Sequence, residues 1–230
     1  MRALLIVLVT GILFSCESKG KKRVSPEAKA TKVEIIEKPI VYSARRRNLS
    51  LEYLSKRHKI YRNEPVIEPS MIVLHYTEGG TFNSIYNYFN SDVIEASRTF
   101  NRKYSELNVS SHYLIDRDGK IYHLIPDTLF ARHIIGLNYC SIGIENIGAK
   151  TNPLTAEQVA SNASLVRYLC EKFVIKYLIG HSEYSAFRKT PLWRESDANY
   201  YTVKEDPGKE FLRQVRNLLS DLNLKSEPDL

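Results

Sequence analysis

Two histidines in this chain close short apolar runs. His75 follows Ser70-Met71-Ile72-Val73-Leu74, and His181 follows Tyr177-Leu178-Ile179-Gly180. A short apolar run bounded by glycine or polar turn residues reads as a buried strand. Open α/β sheets place their ligands at the carboxyl ends of such strands. One histidine there would be read as a satisfied core residue. Two of them, with a carboxylate in Lys204-Glu205-Asp206-Pro207-Gly208, read differently. Two imidazoles and one carboxylate suit a tetrahedral zinc with one position left open, the catalytic arrangement. Such a centre needs a base for a water's proton and a donor for the oxyanion. Glu145 ends Ser141-Ile142-Gly143-Ile144, a further short strand, and is expected at the same sheet edge. Lys204 lies two residues before Asp206, so extended backbone there points both side chains the same way. A compact His-Glu-x-x-His motif is absent, so only the fold can bring these residues together.

The elements that must do so follow in order. The chain has 230 residues, enough for one domain of about 150–170 residues with appendages. Its 43% hydrophobic and 26% charged residues are globular usage. Met1-Arg2 and the apolar stretch Ala3 to Phe14 read as a secretory leader, too short to span a bilayer. Leu13-Phe14-Ser15-Cys16 resembles the bacterial lipoprotein cleavage box, so residues 1–15 are expected to be removed and Cys16 lipidated. An ordinary signal peptide or uncleaved anchor is the other reading. Residues 16–68 are then the lipidated cysteine, a basic tether and an arm. Lys19 to Arg23 and Arg45-Arg46-Arg47 are expected to be solvated, the tether running to about Asn48. Leu51 to Arg62 reads as a short helix or arm, with His58 solvated.

The domain is expected over 69–230. Phe82, Ile85, Tyr86 and Phe89 have helical spacing. Residues 111–125 make a hairpin about Asp118-Gly119. A helix capped by Thr155 runs to Phe173, and a terminal helix over 208–222 carries an apolar stripe. Strands and helices interleave around one antiparallel hairpin. This implies an α/β single domain, a central mixed β-sheet flanked by helices. The formal charge of +7 suits polyanionic surfaces such as anionic lipid or cell-wall polymer. Nucleic acid is set aside, because a lipoprotein rarely meets it and no motif supports it. The pairing of Cys140 and Cys170 cannot be read from sequence.

Five segments carry a resemblance: Ile72 to Thr77, Ser111 to Gly119, Ser141 to Glu145, Gly180 to Glu183 and Lys204 to Gly208. In this order they resemble the type 2 N-acetylmuramoyl-L-alanine amidases, zinc enzymes related to peptidoglycan-recognition proteins. The resemblance implies that fold, with Zn2+ held by His75, His181 and Asp206. It implies that Glu145 activates a water and Lys204 stabilises the oxyanion. The reaction implied is hydrolysis of the amide between N-acetylmuramic acid and L-alanine, in peptidoglycan or muropeptides. Members known as lipoproteins fit Cys16, and imply a lipid anchor in the bacterial envelope, at the outer membrane facing the periplasm.

The chain departs from the family pattern in three places. In many relatives the last ligand closely follows the second histidine; here a long stretch intervenes, and Glu183 or Asp197 could substitute for Asp206. Many relatives carry Trp-His-Ala where this chain has Arg132-His133-Ile134, so His133 keeps the position of a substrate contact without its aromatic neighbour. Ser111 stands where phage-type relatives have tyrosine, leaving Glu145 as sole base. Trp193, in the long stretch, either stacks on a sugar ring or covers the core. His112 and His123, in the hairpin, read as structural or exposed. The competing class is a non-catalytic peptidoglycan-binding lipoprotein on the same fold. Such a module would have no need to keep all three ligands, Glu145 and Lys204 together.

Overall fold

The computed structural model describes residues 33–229. The leader, Cys16 and the first basic run lie outside the described residues. The elements, in chain order, are β1 (Ile35–Glu37), α1 (Ala44–His58), β2 (Met71–Tyr76), α2 (Phe82–Asn90), α3 (Thr99–Tyr104), β3 (Tyr113–Ile115), β4 (Ile121–His123), β5 (Ser141–Asn146), α4 (Ala156–Lys172), β6 (Tyr177–Gly180) and α5 (Lys209–Asn217). The strands form one sheet in the order β1-β4-β3-β5-β2-β6. Only β3 and β4 pair antiparallel; the other pairs are parallel. The expected mixed sheet flanked by helices is therefore observed.

Strand β2 is an inner strand, paired on both sides by β5 and β6, and all six of its residues are buried. Alternation along it decides what each face meets. Ile72 and Leu74 join Ile142, Ile144 and the apolar stripes of α4 and α5. Met71 and Val73 join Tyr53, Phe130, Ile179, Tyr184 and Phe187 in a second cluster. His75 continues the Met71 and Val73 side, so a strand apolar on both faces delivers one imidazole to its end. Helix α4 begins with a reciprocal cap: the Gln158 amide donates to Thr155 Oγ1 at 3.1 Å, and the Thr155 amide to Gln158 Oε1 at 3.0 Å.

The folded unit starts well before residue 69. β1 adds to the sheet edge beside β4, with Ile35 packed against the core. The expected solvated tether is thereby corrected from Ile35 onward. Arg46 is fully buried, donating to Phe89 O at 2.6 Å and Ser91 O at 2.5 Å, with Asp92 at 3.3 Å. The inward stripe of α1 is Arg46, Ser50, Tyr53, Leu54 and His58, helical in spacing but mostly polar. That composition hides it from a hydrophobicity reading. His58 is likewise buried, not solvated: its ring lies among Tyr53, Phe130 and Tyr139, and its Nδ1 is 2.7 Å from Arg194 O. The long stretch after His181 docks on the same helix end. Ser196 Oγ donates to Lys56 O at 2.8 Å, and Arg57 pairs with Glu195. The terminal helix ends at Asn217, short of Leu222, and a 3-10 turn covers Ser220–Leu222.

Candidate active site

A cavity of about 300 Å³ opens at the carboxyl ends of β2, β5 and β6. Its wall includes His75, Glu145, His181, Lys204 and Asp206. His75 ends β2, and His181 is the first residue after β6. The Ser182 amide donates to Asp206 O at 2.9 Å, which brings the distant segment against that turn. The long insertion therefore loops out while its two ends meet.

His75 Nδ1 and His181 Nδ1 are 3.0 Å apart. Asp206 Oδ2 lies 3.1 Å from the second and 3.3 Å from the first. All three residues are buried, and they form a group able to hold a metal ion. Two imidazole nitrogens and a carboxylate oxygen are zinc donors, and their separations approach about 3.3 Å, the edge of a tetrahedron with bonds of about 2.0–2.1 Å. The donor set thus fits zinc. Burial pushes the His75 imidazole down to about 4 against the pull of Asp206, so it is neutral at pH 7 and can offer a lone pair. Burial would raise the Asp206 carboxyl, but His181 and His75 override it and hold it well below the carboxylate range. The other carboxylates considered from sequence are turned elsewhere. Glu183 accepts from the Gly180 amide and pairs with Arg216 at 2.5 Å. Asp197 caps its own turn through the Asn199 amide.

Glu145 stands beside His75 in register. Burial, then the Asp206 carboxylate, pushes its carboxyl up to about 8, while Lys204 and Arg98 pull it back. Its Oε2 is shielded from solvent and has no hydrogen-bond partner among the described residues. Lys204 lines the same cavity, half-buried. Neighbouring carboxylates are engaged elsewhere: Glu205 pairs with Lys150 at 2.9 Å, and Asp206 faces the histidines.

His133 sits behind His75, with Nδ1 3.1 Å from His75 Nε2. Trp193 is placed outside the cavity wall. Its ring packs 5.7 Å from that of Tyr184 and lies over Gly136. Gly136 has φ +78°, and a Cβ there would lie 2.7 Å from the indole. Partly buried, Trp193 packs against the core cluster of Tyr184 and Phe187.

Part of the wall escaped sequence reasoning. Buried Arg132 donates to Asn101 O at 2.8 Å, Ser105 O at 3.1 Å and Tyr200 Oη at 2.8 Å. Tyr200 stacks on Tyr104 with centroids 4.0 Å apart. Arg132 thereby ties α3 to the insertion, and Arg98, Phe100 and Tyr200 line the cavity's far side. No periodicity marks these residues; the departure from Trp-His-Ala at Arg132 was the one available signal.

The family model described as N-acetylmuramoyl-L-alanine amidase matches residues 63–209. The chain is 31% identical over 136 residues to the 1,6-anhydro-N-acetylmuramyl-L-alanine amidase AmpD of Escherichia coli K12, covering 53% of this chain and 74% of that protein. Among solved structures, an N-acetylmuramoyl-L-alanine amidase LysC from Clostridium intestinale is similar at TM-score 0.50 and 21% identity, covering 84% of this chain and 99% of that one. A selenomethionyl AmpD derivative has TM-score 0.51 and 21% identity, over 82% and 96% of the two chains. Bumblebee PGRP-SA has TM-score 0.50 and 16% identity, over 85% and 99%. At these identities the structural likenesses show a shared fold.

Proposed function

We propose, from the premise that this chain belongs to the N-acetylmuramoyl-L-alanine amidase family, that it is a zinc-dependent enzyme cleaving the amide between N-acetylmuramic acid and L-alanine. The observation that carries this reading is the convergence of His75, His181 and Asp206 in one cavity with Glu145 beside them. These three residues would hold the metal. Bound there, zinc supplies Lewis acidity toward the scissile carbonyl and lowers the pKa of a water.

The chain's own groups supply the rest. The charge of a bound zinc would offset the burial that raises the Glu145 carboxyl, and in its carboxylate form Glu145 accepts the attacking water's proton. It then returns that proton to the departing alanine nitrogen. The Lys204 ammonium, half-buried in the cavity wall, faces the oxygen on which negative charge develops. Arg98, Phe100 and Tyr200 offer a cation and two aromatic faces to the substrate beyond the scissile bond. The substrate class is peptidoglycan or its muropeptide fragments.

Zinc content tests the site. Wild-type protein should hold stoichiometric zinc, and His75→Ala, His181→Ala and Asp206→Ala should each lose most of it. Full zinc in both histidine variants would move the site elsewhere. The same proposal lipidates Cys16 and places the enzyme on the outer membrane facing the periplasm, on the strength of Leu13-Phe14-Ser15-Cys16. Cys16→Ala should release it from membranes; unchanged fractionation and mass would refute the anchor.

A further inference from the structure

The geometry points to His133 as a positioning residue that fixes the tautomer of His75 and so aims the His75 Nδ1 lone pair at the metal position. The inference rests on the zinc reading above and concerns a contact that reading does not use. It begins at Ser141. The Nε2 of His133 is 3.3 Å from Ser141 O and 3.3 Å from Ser141 Oγ. A carbonyl oxygen only accepts. The Ser141 hydroxyl gives its proton to Leu137 O at 2.9 Å, so toward His133 it also accepts. Nε2 of His133 must therefore carry the hydrogen. In a neutral imidazole the other nitrogen is then an acceptor. That nitrogen, Nδ1, lies 3.1 Å from His75 Nε2, which must carry the next hydrogen. The lone pair of His75 is left on Nδ1, the atom that faces His181 and Asp206. A backbone carbonyl thus decides, through two rings, which nitrogen of His75 is free to bind metal.

The His133 ring is built in place. Its amide and that of Ile134 both donate to Asn138 Oδ1 at 2.8 Å. Gly143 lies beneath the ring, where a Cβ would fall 2.7–2.9 Å from three of its atoms. Buried His112 meets it edge-on at 5.8 Å, itself fixed by the Gly143 amide and Leu129 O. Partners behind a metal ligand commonly orient it, and losing one costs about 10–100-fold in metal affinity.

Two measurements on the full chain test this. The first is the tautomer of His75 in metal-free wild-type protein, read from ¹⁵N chemical shifts of labelled histidine. An Nε2–H tautomer is expected; an Nδ1–H tautomer would overturn the inference, whatever the protein's affinity for zinc. The second is zinc affinity by competition with a chromophoric chelator. His133→Leu should weaken it about 10–100-fold, and His133→Asn, whose Oδ1 can accept where Nδ1 did, should restore most of the loss. Equal affinity in wild type and His133→Leu would overturn the inference alone. A wild type that binds no zinc would instead overturn the metal reading, and the tautomer would still decide this one. The tautomer measurement needs no variant, so misfolding cannot blur it.

Discussion

Glu145 is the register partner of His75 across the parallel pair β5–β2. Neighbouring strands lie about 4.8 Å apart, so the candidate base and a candidate ligand are side by side on one face. The backbone ladder sets that distance, not a flexible loop.

The roles of Glu145 and Lys204 can be separated from metal binding. Glu145→Gln and Lys204→Ala should both retain stoichiometric zinc. Loss of a general base lowers rate by about 10²–10⁴, and loss of an oxyanion donor by about 10²–10³. Cleavage rate measured beside zinc content checks both. A Glu145→Gln variant with zinc and near wild-type rate would remove Glu145 from the chemistry.

Much of this site was legible because its residues sit on elements with strong local signals. The His75 strand, the Asp-Gly hairpin, the Glu145 strand, the Thr155-capped helix and the His181 strand were each readable from apolar runs and turn or cap residues. The order of the strands was not, because parallel pairing is set by contacts distant in sequence. β1 is three residues long and is held by pairing with β4 and by Ile35 packing on the core, partners distant in sequence, so no local pattern announced it. Arg46 and His58 were misread because polarity stood for exposure, and their partners Asp92 and Arg194 lie far along the chain. His133 was legible as a site residue from resemblance, but its contact with His75 needed coordinates.

Buried Arg46 supplies a test of the early domain boundary. Removing one partner of a buried pair costs about 3–5 kcal/mol, and the partial exposure of Asp92 sets Arg46→Ala near the lower end. Arg45 is exposed, so Arg45→Ala should change stability by less than about 0.5 kcal/mol. Denaturant unfolding measures both. Equal, small effects would return this segment to a solvated tether.

Acid should destabilise the metal-free fold in a defined window. Burial holds His58 and His112 at about 4, below the ordinary 6.5. Between those values the unfolded chain binds more protons than the folded one. Stability is therefore full above pH 6.5 and is lost as pH falls toward 4. Each such histidine contributes a slope of up to about 1.4 kcal/mol per pH unit. His58→Phe should flatten the curve by one histidine's share across pH 4–6.5, as read by chemical denaturation. An unchanged slope would place His58 in solvent.

The most direct test of the central claim is mass spectrometry of a defined muropeptide incubated with the purified protein, after metal removal and after zinc is restored. Muropeptides with and without the 1,6-anhydro ring should both be offered, since the Escherichia coli relative is named for that sugar. The expected result is release of the intact stem peptide beginning at L-alanine, abolished by the chelator and recovered with zinc. Binding without cleavage in the zinc-loaded protein would contradict the enzyme and leave a peptidoglycan-binding module.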